Sequence, residues 1–102
     1  MRKREELYLK ACEVLMEHDK YCSQHNFNKR CKDKFNEIQA MMLIYASRNI
    51  YDAYYTIDGE IISSYNGVTA KKEIEKIANN NADKVEAFAG KMRKELKLKD
   101  LS

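Results

Sequence analysis

The sequence contains no proline, no tryptophan and only three glycines in 102 residues. Neither Gly nor Pro occurs between Met1 and Asp58, although these two residues interrupt regular structure most strongly. Because a β fold with many turns needs such residues, their scarcity favours long helices. The length predicts one domain, residues 1–102, with a single modest core.

A long hydrophobic run is also missing. The longest uncharged apolar stretch, Ala40 to Ala46, has seven residues, whereas a membrane-spanning helix needs about 20. The basic residues at the start are not followed by the apolar segment of a signal peptide. The cysteines Cys12, Cys22 and Cys31 are odd in number, as expected for free thiols. These features predict a cytoplasmic protein that does not engage a membrane.

Motifs of catalysis are absent as well. The chain has no glycine-rich phosphate loop, no G-x-S-x-G and no H-E-x-x-H. None of its carboxylates lies in an apolar segment that would raise the pKa for general acid catalysis. We therefore expect no catalytic residues and no cofactor, and a small enzyme is the least supported of the alternatives.

Apolar residues at steps of three and four predict three helical segments. The first extends from about Glu5 to Gln24. The second follows a turn at residues 23–26, with Asn26 or Asn28 as its cap. The third covers about residues 70–98, and its Asn79–Asn81 triplet predicts a break there, because Asn is a poor residue inside a helix. The alternative is one continuous helix in which Asn81 faces the core.

The segment between the second and third helical stretches predicts strands. Two runs rich in Tyr, Ile and Thr flank Asp58-Gly59, a sequence typical of tight hairpin turns. We expect strands near Tyr54–Ile57 and Glu60–Ser64. The predicted fold is α+β but helix-dominated: three or four helices with one β-hairpin, about residues 54–64, after the second helix. The expected core consists of Leu7, Ala11, Val14, Leu15, Phe35, Ile38, Met42, Tyr45, Ile74, Val85, Phe88 and Met92.

Exposed apolar surface is the main functional signal. Apolar residues occupy nearly the whole circumference of the second helix in its C-terminal half, and a short chain has little else with which to cover them. An isolated hairpin also needs added surface to be stable. We expect a non-catalytic protein-interaction module whose partner is a second copy, giving a homodimer, or another protein. The expected contact residues are Met41, Leu43, Ile44, Tyr51, Tyr54, Tyr55 and Tyr65. The Lys- and Asn-rich composition is also typical of phage and mobile-element proteins, including inhibitors of host proteins.

Nucleic-acid binding is the alternative, although the net charge is only +3. Four cations, Lys29, Arg30, Lys32 and Lys34, crowd the first turns of the second helix, and we expect Arg2–Arg4 to join them on one surface. Cations are unfavourable at a helix N-terminus unless an anion is bound there, so this run is a candidate phosphate contact. The other interpretation is a solvated basic surface.

A thiol–imidazole group forms the last candidate. His18, Cys22, His25 and Cys31 supply donors that zinc accepts, but only Cys22 and His25 have a spacing resembling that of structural zinc sites. Packing of the cysteines in the core is the favoured interpretation, and metal binding is the weaker one. The same residues offer a Cys/His nucleophile pair, for which no third, orienting residue is evident in the sequence.

Overall fold

The computed structural model describes the backbone of residues 3–100 and the side chains of residues 3–97. It consists of four helices: α1 (Lys3–Ser23), α2 (Lys29–Tyr45), α3 (Arg48–Ser64) and α4 (Lys71–Asp100). Helices α1 and α3 contact each other and both of the remaining helices, whereas α2 and α4 lie on opposite sides of the bundle without touching. The fold is all-α over these residues, and none of the helices is long and apolar enough to cross a membrane.

The predicted hairpin is wrong, because residues 54–64 belong to α3 and no strand occurs in residues 3–100. The buried residues of α3 are Ile50, Tyr54, Asp58 and Ile61, at steps of four, four and three. That spacing places all four on one face of a helix, whereas a strand would divide them between two faces. Gly59 costs a helix interior about 0.5–1 kcal/mol, an amount that burial of the apolar face outweighs.

The predicted break at Asn79–Asn81 is also wrong, because α4 continues through the triplet. Asn81 is 1% exposed and occupies a core-facing position, as the alternative of one continuous helix required. Its Nδ2 donates hydrogen bonds to Asp19 Oδ1 at 2.8 Å and to Ser64 Oγ at 3.1 Å. The helix tolerates this residue because α1 and α3 satisfy its amide.

The turn between α1 and α2 is closed at both ends by side-chain and backbone hydrogen bonds. His25 has a φ of 52°, the left-handed conformation that commonly ends a helix, and the Asn26 N–H donates to Tyr21 O at 3.0 Å. Of the two predicted caps, Asn28 begins α2: its Oδ1 accepts from the Cys31 N–H at 2.9 Å. The turn thereby brings His25 and Asn28 beside the ends of two helices.

The core largely matches the sequence prediction. Ten of the twelve expected residues are buried, and the other two, Tyr45 and Ile74, are half-buried. At its centre the Tyr54 ring stacks on the Phe35 ring, with 4.6 Å between centroids, and its hydroxyl donates to Phe35 O at 3.2 Å. The core also includes residues that the prediction omitted: Tyr8, Asp19, Cys31, Ile50, Tyr54, Asp58, Ile61, Tyr65 and Asn81.

Candidate functional site

The C-terminal half of α2 carries three large apolar side chains that the bundle leaves at least partly uncovered. Leu43 is 68% exposed and Ile44 is 75% exposed, and Met41 is 38% exposed. Cys31, Phe35, Ile38 and Met42 point inward from the same helix, so Ile44 lies on the side away from the bundle. Leu43 lies on the flank of α2 towards α3, where it lines a cavity with Tyr51, whereas Met41 lies on the opposite flank, where it lines cavities with residues of α1. Single exposed apolar residues are common, but several together on one face are typical of a contact surface.

Two tyrosines of α3 extend this apolar surface. Tyr51 and Tyr55 are one helical turn apart, and Tyr55 is 60% exposed. The half-buried Tyr51 lines a shallow cavity of about 480 Å³ together with Leu43, and its hydroxyl accepts from Gln39 Nε2 at 3.2 Å. The surface thus continues from α2 onto α3. We call it the α2–α3 face, defined by Leu43, Ile44, Tyr51 and Tyr55, whereas the predicted contact residue Met41 lies on the α1 side of α2.

Tyr54 and Tyr65, the other predicted contact residues, are buried. Tyr54 is 0% exposed in the aromatic centre of the core. Tyr65 is 2% exposed, and its hydroxyl donates to Asp19 Oδ1 at 2.7 Å. Burial raises the pKa of both phenols, and the Asp19 carboxylate raises that of Tyr65 further. These tyrosines stabilise the fold and are excluded from the α2–α3 face.

The basic run of α2 is divided among different surroundings. Lys34 Nζ lies 3.7 Å from Glu17 Oε2, and Lys32 Nζ lies 4.9 Å from the Phe35 ring centroid. Lys29 and Arg30 are exposed. Two of the four cations therefore have a neighbour within the bundle, a carboxylate for Lys34 and an aromatic ring for Lys32.

The N-terminal cations lie at the other end of the bundle from this run. Arg4 Nε donates to Tyr45 O at 2.6 Å, at the C-terminus of α2, while the basic run is in its first turns. A helix of 17 residues is about 25 Å long, which separates the two groups. Lys3 Nζ donates to the Tyr45 hydroxyl at 3.4 Å. Arg2 lies outside the described residues.

A buried imidazole–carboxylate pair joins α1 to α3. His18 Nδ1 donates to Asp58 Oδ1 at 2.6 Å, and their side chains are 12% and 5% exposed. This hydrogen bond raises the pKa of His18 to about 9, and the Cys22 thiol beside the ring adds to the increase, while burial opposes it. The imidazole is therefore protonated at neutral pH and forms an ion pair with Asp58.

Sequence reasoning missed Asp58 as a partner of His18. The two residues are 40 positions apart, and Asp58 was assigned to a hairpin turn on the surface. Its place among Ile50, Tyr54 and Ile61 at helical spacing was the one signal available. With α3 recognised as a helix, that spacing makes Asp58 a polar residue at a core position, which requires a partner.

An open cavity of about 400 Å³ adjoins this pair, where the α1–α2 turn meets the end of α3. His18 and Cys22 contribute to its wall from α1, one turn apart on the same face. Its described lining residues include Lys32 and three Asn carboxamides, and none of them is Asp or Glu. The remaining wall includes apolar groups, Phe27 and Ile62. The cavity therefore offers positive charge, hydrogen-bond donors and a thiol to a small molecule.

Three of the four candidate zinc ligands line this cavity, and the fourth lies in the core. His18, Cys22 and His25 all line the cavity, whereas Cys31 is 0% exposed in the core. His25 Nε2 donates to Val68 O at 2.6 Å, and His18 is bound to Asp58. Among the side chains of residues 3–97, no group of three or more His, Cys, Asp and Glu has the arrangement of a metal site.

Comparison of the chain with protein-family models, with curated proteins and with solved structures gave no match.

Proposed function

We propose that this protein is an interaction module that binds a second copy of itself through the α2–α3 face. The observation that carries the proposal is the exposure of Leu43 and Ile44, 68% and 75%, on a helix side that the bundle does not cover. The three free cysteines favour a reducing compartment, so we place the assembly in the cytoplasm.

A second copy fits this face because its chemistry is self-complementary. From Ile38 to Ser47 the sequence contains no charged residue. A two-fold axis near Ile44 sets this uncharged segment against its own copy, as isologous interfaces require. The charged first half of α2 then diverges from the partner, so its cations do not meet like charges. Apolar side chains occupy the centre and polar groups the rim, as in stable interfaces.

The energy of this contact predicts a moderate affinity. Full burial of a Leu or Ile side chain contributes about 1.5–3 kcal/mol. Because about 70% of Leu43 and Ile44 is still exposed, the four such side chains of a pair contribute roughly 4–8 kcal/mol. The two tyrosines add to this, while lost rotational and translational freedom subtracts from it. We expect a Kd on the order of 10–100 µM.

Sedimentation velocity over about 10 µM to 1 mM protein tests the proposal. The wild type should shift from monomer to dimer with concentration, and Ile44→Glu should stay monomeric because two unpaired carboxylates would be buried in the interface. Leu9→Glu is the matched control, since Leu9 is 54% exposed on α1, away from the α2–α3 face, and its variant should still dimerise. Far-UV circular dichroism of each variant verifies folding.

Two results would overturn self-association. The first is a wild type that remains monomeric at the highest concentration. The second is a dimer that Ile44→Glu leaves intact or that Leu9→Glu disrupts equally, because the contact would then lie elsewhere on the bundle.

A further inference from the structure

We propose that Cys22, His18 and Asp58 form a nucleophilic thiol site, and that the adjoining cavity takes a small ester or thioester bearing an anionic group. The described residues that line this cavity do not include those of the α2–α3 face, so the thiol site and dimerisation can be tested separately. Cys22 would be the catalytic nucleophile, His18 its acid–base partner and Asp58 a positioning residue.

The arrangement has the three parts that activation of a thiol requires. Asp58 Oδ1 accepts from His18 Nδ1 at 2.6 Å, which fixes the imidazole and leaves Nε2 as its second reactive nitrogen. Cys22 lies one turn from His18 on α1, and both residues line the same cavity. A thiol gains nucleophilic character beside a protonated imidazole, since the positive charge favours the thiolate. The sequence shows the first two groups, and the fold supplies the third.

The cavity lining defines the class of substrate. Lys32 is the cationic side chain of the lining, because Asp58 neutralises the imidazolium of His18. None of the described lining residues is Asp or Glu, so the charge of Lys32 favours a ligand with negative charge. The carboxamides of Asn26, Asn28 and Asn66 provide N–H donors for a carbonyl oxygen. Phe27 and Ile62 provide apolar contact for the rest of the molecule. The volume of about 400 Å³ is that of a small-molecule site.

The chemistry is acyl transfer to water in two steps. The Cys22 thiolate attacks the acyl carbon and forms a C–S bond, while the carbonyl electron pair moves to oxygen. As the carbonyl forms again, the bond to the leaving group breaks and the His18 imidazolium donates its proton to that group. A water molecule then attacks the thioester as neutral His18 accepts the water's proton. The C–S bond breaks, and the acid is released with the thiolate restored.

Acetylation by p-nitrophenyl acetate tests the nucleophile, with peptide mass spectrometry locating the acetyl group. Cys12 is an internal control in the same chain: it is also half-buried on α1, and burial raises the pKa of its thiol. We expect Cys22 to be acetylated at least about tenfold faster than Cys12. Equal rates at the two thiols, or faster reaction at Cys12, would overturn the proposal without the need for any variant.

Variants test the roles of the neighbours. In His18→Gln, acetylation of Cys22 should slow to the rate of Cys12; an unchanged rate would refute the role of His18. Asp58→Asn should lower both the midpoint of the His18 titration, measured by NMR, and the rate of Cys22 acetylation. A purely structural role of Asp58 would not couple these two quantities. The titratable groups that face His18 and must be included in fitting that titration are Cys22 and Asp58.

The anionic preference is tested by a second ester, the mono-p-nitrophenyl ester of succinic acid. Compared with the acetate, its KM should be lower in the wild type, and Lys32→Gln should raise the KM for the succinate ester by a larger factor than the KM for the acetate. Equal effects of Lys32→Gln on the two esters would overturn the assignment of an anionic substrate.

Discussion

Raising the pH from about 6 to about 8.5 should destabilise the folded protein through His18. The pKa of this imidazole is about 9 in the folded chain and 6.5 in an unperturbed His. Because the folded-state pKa is the higher one, the native state holds the proton more tightly than the unfolded chain does. The stabilisation is therefore complete below pH 6.5 and is lost as the pH rises through 9.

The size of the effect follows from the two pKa values. At about 1.36 kcal/mol for each pKa unit, protonation of His18 contributes about 3 kcal/mol. About 2 kcal/mol of this should be lost by about pH 8.5. The His18 side chain is 12% exposed and that of Asp58 is 5% exposed, so solvent screens the pair only weakly. The Cys31 thiol, whose pKa burial raises to about 11 from 9.0, affects stability only at higher pH.

Urea unfolding followed by far-UV circular dichroism at several pH values in this range measures the effect. The free energy of unfolding should fall by about 2 kcal/mol in the wild type and stay nearly constant in His18→Gln, which is less stable at pH 6. A wild type that changes by less than about 0.5 kcal/mol would refute the ion pair. So would a His18→Gln variant that loses stability with the same slope.

Gly59→Ala should stabilise the protein by about 0.5–1 kcal/mol, since no atom lies within 4 Å of the added Cβ and α3 is helical there; destabilisation would instead favour a turn at Gly59. Gly67→Ala should instead destabilise the protein, because Gly67 has a φ of 72°. Thermal melts of the two variants measure both changes in stability. Asn81→Ala should lower the free energy of unfolding by about 2–3 kcal/mol, because it removes a hydrogen bond to the buried Asp19 carboxylate. Asn80→Ala, at the exposed neighbouring position, should change the free energy of unfolding by less than about 0.5 kcal/mol. Equal effects of the two Asn variants on urea unfolding would show that the Asn81–Asp19 contact is unimportant.

The helices that the sequence predicts are those with apolar residues on one face. The stripes of α1 and α2 have helical spacing and few polar interruptions, so a local pattern was sufficient. In α3, by contrast, Asp58 interrupts the stripe, and Asp58-Gly59 has the composition of a hairpin turn. In α4, Asn81 interrupts the stripe in the same way and suggested a break. Both errors arise at buried polar residues that occupy positions normally held by apolar ones.

The reason lies in how buried polar residues are stabilised. Asp58 is bound by His18 and Asn81 by Asp19, over separations of 40 and 62 residues. A window of ten or twenty residues contains one partner only, so the residue resembles a surface or turn position. The exposed part of the α2–α3 face was predictable, because exposure of Leu43 and Ile44 follows from an excess of apolar residues on one short helix. Which tyrosines are buried depended on α3 and was not predictable.

The length of α4 has a consequence for how the molecule opens. Its 30 residues span about 45 Å, about 20 Å more than α2 or α3. Residues 71–80 include no buried side chain, so these turns have little tertiary packing to protect them. Their amide hydrogens should exchange with solvent well before those of residues 81–96. This segment can therefore fray and reform while the rest of the bundle stays folded.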